Sequence, residues 1–384
     1  MGRSYAIERK RPFGPISGAL MTISWWKIRR EFWRVCSQML EPYRQIRDAV
    51  LRLDYRFRHA HHVRHFEGRS HWTERVAVFL IHQPQGIALS VFSTCDHLKD
   101  QGYACVVVSN GELKPEDLER LLQRVTHVII RPNFGYDFGG YQEAVLWLRQ
   151  RVSCIKYLLL MNDSVWFPAL KKSSFLAEME KTGSDVVGAL SAQRGTAQRN
   201  QRKLFFASFM LLFSEKIWRS AKFENFWESY RQTSSKSRTI RNGERKLSAL
   251  FIHDEQFSHH AMVDANTYRR LSLGMTTLTW PKFAVELGLI DTSFDQQRKN
   301  LLMNSGSIDL EAWSDWYIRL CASQNMFTCA QVALVLRAGI PFIKKSKDHH
   351  NMQVLQQSLE FFRKEPAIDA VVLKELQAQV DLCS

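Results

Sequence analysis

The densest group of side chains able to handle a small polar ligand is the stretch Asn133-Phe134-Gly135-Tyr136-Asp137-Phe138-Gly139-Gly140-Tyr141. Asn133 and Asp137 are suited to taking hydroxyl groups, and Tyr136 and Tyr141 can stack on a ring or hydrogen-bond to it. Gly135, Gly139 and Gly140 let the backbone come close to a ligand and open the following helix with unspent N–H groups. The plainer reading is a tight strand-to-helix connection, for which two glycines would serve. A second group is Asn162-Asp163-Ser164, which follows the apolar run Tyr157-Leu158-Leu159-Leu160-Met161. A carboxylate just beyond a hydrophobic strand is well placed to hold a divalent ion, Mg2+ or Mn2+, bridging a diphosphate. Capping of the next helix by Asp163 or Ser164 is the alternative.

These groups need strands and helices to position them, and the pattern supplies both. From Val76-Ala77-Val78-Phe79-Leu80-Ile81 onward, short apolar runs alternate with amphipathic stretches. Strands are predicted at 76–81, 105–109, 127–130, 155–161 and 185–189, with helices at 87–99, 115–125 and 140–151. Repeated β-α units with fully apolar strands imply an open, mostly parallel, doubly wound α/β sheet. Ligands collect beyond the carboxyl ends of such strands. Here the first strand ends at His82, the second at Asn110, the third at the Asn133–Tyr141 loop and the fourth at Asn162-Asp163-Ser164, so all of these become candidates for one binding site.

Several other chemistries find no support. The glycines do not form GxGxxG after a first strand, and no GxxxxGK[ST] occurs, which disfavours a dehydrogenase or a P-loop ATPase. The seven cysteines are scattered without CxxC spacing, as expected of reduced structural thiols. His59, His61, His62, His65 and His71 lack carboxylate or cysteine companions and read as a solvated linker.

The net charge is +15, and residues 1–75, with 16 Lys/Arg against 7 Asp/Glu, carry nine of those charges. Without a reading motif or a basic-aromatic sheet face this does not point to nucleic acid. From Trp25 the apolar positions Ile28, Phe32, Val35, Met39, Tyr43, Ile46, Val50 and Leu53 line one helical face, with Pro42 expected to kink or break it, and arginines and lysines occupy the other. Such a helix suits an anionic membrane surface or, equally, packing on the catalytic domain. The uncharged stretch before it resembles an uncleaved leader and is too short to span a bilayer. The expected division is a basic helical segment over 1–72, a catalytic domain over 73–300 and a helical part over 301–384.

Taken together, NFGYDFGGY at 133–141 and LLLMNDSVWFP at 158–168 resemble the rhamnan synthesis F family of bacterial polysaccharide assembly. VAVFLIH, VVVSN, FASFMLLFSEKIW, NGERKLS and GIPFIKK support the likeness in order. The resemblance implies a GT-A-like glycosyltransferase domain with an N-terminal basic helix and a helical C-terminal part. It implies a nucleotide-sugar donor, most often dTDP-L-rhamnose, and a lipid-linked or polymeric glycan acceptor. The donor would be held by His82, Asn110, Asn133, Gly135, Tyr136, Asp137, Gly139, Gly140, Asn162, Asp163 and Ser164. Asp163 would be the metal ligand, although one carboxylate stands where many relatives of the fold have two, and a basic side chain could replace the ion. Inversion at the sugar carbon needs one general base, and the likeness points to Glu244, at the start of a helix expected to run to His260, with Asp254 and Glu255 as rivals. The expected setting is cytoplasmic, on the inner face of the plasma membrane. A non-catalytic assembly subunit recruited through the basic N-terminus is the competing hypothesis.

Overall fold

The computed structural model describes residues 39, 41–55, 57, 62–194, 203–303, 309–345 and 348–382. The chain divides into two compact units, Met1–Leu51 and Arg52–Ser384. The proposed leader, Trp25, Ile28, Phe32 and Val35 lie outside the described residues. So do His59 and His61. A helix spans Glu41–Asp54, with Pro42 at its second position, where a missing N–H costs nothing. Its Tyr43, Ile46, Val50 and Leu53 are exposed.

The second unit is built on one sheet whose strands are β1 (Arg64–Glu67), β2 (Arg75–Ile81), β3 (Ala104–Asn110), β4 (His127–Arg131), β5 (Tyr157–Asn162), β7 (Val186–Arg194), β8 (Lys203–Phe206), β9 (Met210–Ser214) and β10 (His259–Val263). Between β5 and β7 lies the two-residue β6 (Val165–Trp166), which pairs with β11 (Ile343–Lys344) in a separate ribbon. The order across the main sheet is β1-β4-β3-β2-β5-β9-β7-β10, with β8 beside β7. Strands β4, β3, β2 and β5 are parallel, β9 runs against both its neighbours, and β7 and β10 resume the common direction. The result is a mostly parallel α/β sheet with one reversed strand inside it.

The parallel strands form because they are apolar on both faces. Ala77, Phe79, Cys105, Val107, Leu159 and Met161 join one core with the later helices around Trp280, Trp313 and Tyr317. The alternate residues Val76, Val78, Leu80, Val106, Val108, Leu158 and Leu160 join the other, with Phe138, Tyr141 and Trp227. A third cluster unites Trp166 with helices His349–Lys364 and Ala370–Asp381. Among the described residues no helix is long and apolar enough to cross a membrane.

Two local expectations need correction. The helix expected over 244–260 stops at Ile252, and His259–Val263 is strand β10, parallel to β7; its pairing overrides a sequence with no apolar run to announce it. The His-rich stretch is not a solvated linker throughout: His65 lies in β1, antiparallel to β4, with its ring stacked on Trp147 and its Nδ1 3.2 Å from His127 Nε2.

Candidate active site

Register brings the strand ends level: Leu80 pairs with Asn162, Ile81 with Ser109, and Asn110 with Arg131. The chain leaving β5 turns back over the tip of β2, where Asp163 N–H donates to Leu80 O at 3.1 Å. The Asp163 carboxylate is gripped at Oδ2 by His82 N–H at 3.0 Å and Gln83 Nε2 at 2.6 Å, and Oδ1 accepts no hydrogen bond from the described residues. Capping is therefore not its role. His82 Nδ1 lies 2.7 Å from Asn110 O; a carbonyl only accepts, so the proton sits on Nδ1 and Nε2 is left as the acceptor.

Asn162 links the two groups singled out from the sequence. Its Nδ2 donates to Asp137 Oδ2 at 3.1 Å, and its Oδ1 accepts from Ser164 N–H at 3.1 Å and Ser164 Oγ at 2.6 Å. Ser164 thus fixes the turn that carries Asp163. Asp137 opens helix Tyr136–Arg151 in the space beside it. Burial, then the neighbouring Asp163 and Glu244 carboxylates, push the Asp137 carboxyl up to about 6, against the opposing pull of Lys236 and His82. Asp163 and Glu244 therefore both lie within electrostatic reach of Asp137 at the carboxyl end of the sheet.

The glycine-rich loop is shaped largely by packing. Arg131, only 1% exposed, donates from Nη1 to Asn110 Oδ1 at 2.6 Å and from Nη2 to Phe134 O at 2.9 Å, with its guanidinium over the Tyr55 ring. Asn110 Nδ2 in turn donates to Tyr136 O at 3.2 Å, so Asn110 is spent on holding the loop. A Cβ on Gly139 would stand 2.3 Å from Phe134 O, and one on Gly140 2.0 Å from Leu80 Cδ1; both glycines are buried and required by these contacts. Gly135 has φ +84°, and Tyr136, with φ 53°, adopts the left-handed conformation despite its side chain. Tyr136 is 42% exposed and its hydroxyl donates to Ser234 O, whereas Tyr141 is fully buried and donates to Ser208 O. Of the two tyrosines only Tyr136 presents a ring face to a ligand; Tyr141 is turned into the core by the helix it sits on. Asn133 is exposed and takes no part in the network.

Glu244 ends a π-helical turn, Ile240–Glu244, ahead of helix Arg245–Ile252. Gly243 allows it to approach: a Cβ there would meet the Phe138 ring at 2.6 Å. Close packing of these turns brings Glu244 toward Asp137. Glu244 Oε2 accepts from Ser208 N–H at 2.9 Å and Ser208 Oγ at 2.8 Å, which orients the carboxylate. The rivals are placed elsewhere: Asp254 is ion-paired with Lys222 and Glu255 is exposed in the turn beyond the helix.

Sequence reasoning missed Gln83, Arg131, Ser208 and Lys236. Gln83 and Arg131 flank residues that were singled out and were within reach of the same argument; Ser208 and Lys236 carry no local signal. For a divalent ion the donor set offers Asp163 Oδ1, and among the described residues no three His, Cys, Asp or Glu side chains come close enough together to hold a metal ion. One carboxylate fits an ion that draws the rest of its shell from phosphates and water.

Among known proteins, the uncharacterized protein y4gN of Sinorhizobium fredii is 35% identical over 185 residues, 48% of this chain and 48% of that protein, so the match spans about half the length of the relative. Solved structures similar to the chain include core-mannan synthase A from Aspergillus fumigatus in its Mn/GDP form, at 9% identity over 42% of this chain and 65% of that one with a TM-score of 0.27. Another is the glycosyltransferase GlyE of Streptococcus pneumoniae, at 10% identity over 72% of this chain and 66% of that one with a TM-score of 0.31. Residues 105–282, which contain the motif strings at the strand ends, match the family model of rhamnan synthesis protein F.

Proposed function

We propose that this chain is a glycosyltransferase of polysaccharide assembly. It moves a sugar, L-rhamnose by the family likeness, from a nucleotide donor such as dTDP-L-rhamnose onto a lipid-linked or polymeric glycan, including lipopolysaccharide. The observation that carries this reading is Asp137, tied by Asn162 to the turn that carries Asp163, with the Asp163 and Glu244 carboxylates near enough to push its pKa up, at the carboxyl ends of the parallel strands. In the proposed mechanism Asp137 and Asn162 hold donor hydroxyls and Tyr136 offers its ring. Glu244, oriented through Oε2 by Ser208, takes the acceptor proton on Oε1 as the acceptor oxygen attacks the sugar carbon and inverts it. A divalent ion, held through Asp163, would neutralise charge on the departing diphosphate.

The exposed apolar stripe of helix Glu41–Asp54, with the arginines beside it, supports attachment of a basic segment, 1–72, to the inner, anionic face of the plasma membrane. In this reading 73–300 is catalytic and 301–384 braces it. The test is release of nucleoside diphosphate from a panel of nucleotide sugars. Wild type releases it, and Asp163→Ala and Glu244→Gln do not. Unchanged polymer in cells carrying both substitutions, together with loss on deleting residues 1–70, would make the chain a scaffold instead.

A further inference from the structure

We propose that Lys345 is a fixed cation that binds the diphosphate of the donor opposite Asp163, an inference that rests on the glycosyltransferase reading and deepens it. Strand β11 pairs with β6, setting Ile343 against Trp166 and Lys344 against Val165. The next residue, Lys345, donates its N–H to Ser164 O at 2.9 Å, directly after Asp163 in the chain. The GIPFIKK segment is thereby stitched to the turn that carries the acidic residue.

The Lys345 ammonium has an incomplete set of partners. Nζ donates to Ser90 Oγ at 3.1 Å and lies 5.4 Å from the centroid of the Trp166 ring. Among the described residues no carboxylate comes within ion-pair distance of it. Glu375, the nearby acid, is already occupied: Oε1 accepts from Ser90 N–H at 2.8 Å, and Oε2 from Ser90 Oγ at 2.6 Å and Trp166 Nε1 at 2.9 Å. Burial pulls the Lys345 pKa down, while Glu375 and Asp163 pull it back up. Lys344 is different, for its Nζ is 3.7 Å from Asp348.

A desolvated ammonium with spare N–H donors is costly to keep unless something anionic completes it. Ser90 also lies in the first turn of helix Leu89–Asp100, whose positive end adds to that cost and likewise favours a bound anion. Asp163, through a metal ion, and Lys345, directly, can then share one diphosphate between them. The ammonium stabilises negative charge as it develops on the leaving phosphate.

Binding of dTDP, UDP and GDP to the full chain, measured by calorimetry in EDTA and again in manganese, tests this. Wild type binds at least one of them in EDTA. Lys345→Gln weakens that binding about tenfold or more, as loss of a hydrogen bond to a charged group does. Lys345→Arg keeps most of it, Lys344→Gln stays within about twofold, and binding of the bare nucleoside is unaffected by any of them. Thermal midpoints confirm that the variants are folded. If Lys345→Gln and wild type bind the diphosphate equally, the inference is wrong while the glycosyltransferase reading stands. If Lys345→Gln weakens binding of a short polyprenyl diphosphate but leaves that of the nucleoside diphosphates unchanged, the site serves the lipid acceptor and the proposal is overturned. If wild type binds no nucleoside diphosphate in either buffer, both readings fail together.

Discussion

The two ends of the sheet treat their carboxylates in opposite ways. At the amino end, Asp185 just before β7 accepts from Ser258 N–H at 2.9 Å, Ser214 Oγ at 3.0 Å, Ser258 Oγ at 3.1 Å and Lys216 Nζ at 3.2 Å. Burial works to raise its pKa, but these donors together hold it below the usual carboxylate range. At the carboxyl end, Asp137 has Asn162 as its hydrogen-bond donor, sits among other acids and is pushed up to about 6. Asp185 is satisfied by the protein itself, and Asp137 is left short of donors. A buried carboxylate short of donors is a place where a ligand is expected, and that expectation is what the substitutions below test.

The comparison breaks most sharply at Glu244. If the crowded carboxylates are chemical rather than structural, Glu244→Gln keeps the Ser208 hydrogen bonds through its amide oxygen. It then lowers the rate of sugar transfer by about 10²–10⁴-fold with little change in thermal midpoint. Donor consumption in a coupled assay, beside a melting curve, reads both. A rate within a few-fold of wild type removes the proton-transfer role.

Next in size is Arg131→Met, which leaves Asn110 Oδ1 and Phe134 O without their buried donor. A loss of about 3–5 kcal/mol in urea unfolding is expected, as when one partner of a buried charged network is deleted. Donor affinity falls with it in whatever fraction remains folded, since the guanidinium holds the loop that carries Asp137.

Much of the carboxyl end was legible in the sequence. Val76–Ile81 and Leu158–Met161 are apolar on both faces, as strands covered on both sides are, and polar residues directly after successive parallel strands lie at one edge. That sufficed for His82, Asp137 and Asp163. It did not distinguish contact from support: Asn110, Gly139 and Gly140 follow strands too, but Arg131 and Leu80 claim them. The contact of Ser208 with Glu244 was beyond this logic, because it depends on packing between segments far apart in the chain. β10 was hidden for the same reason, since its identity comes from β7 and not from the residues His259–Val263.

The amino end offers a smaller and opposite effect. Asp185→Asn loses the charge that Lys216 and the two serines are arranged around, at a cost of about 1–3 kcal/mol near neutral pH. Because the native pKa lies below the unfolded value, this contribution is present above the unfolded pKa and is lost as pH falls through the folded one. Denaturation at about pH 7 and about pH 3 separates the two, and transfer activity per folded molecule is unchanged.

Asp137→Asn is expected to change stability in the other direction, and its sign tests the comparison most directly. The native carboxyl titrates near 6 against an unfolded value of 3.8. Between those pH values the native state holds more protons than the unfolded chain, so stability declines as pH rises through that window. Above it, the folded protein bears an ionised carboxylate that its surroundings disfavour. Asparagine removes that penalty while its side-chain oxygen still accepts from Asn162. The variant should therefore be more stable than wild type by on the order of 2 kcal/mol at about pH 7.5, and equal to it at about pH 3.5. It should also be impaired in donor binding, which is the combination expected where stability was given up for a site. A variant that is less stable than wild type at the higher pH would mean that Asp137 is as well satisfied as Asp185, and the two ends of the sheet would no longer differ in kind.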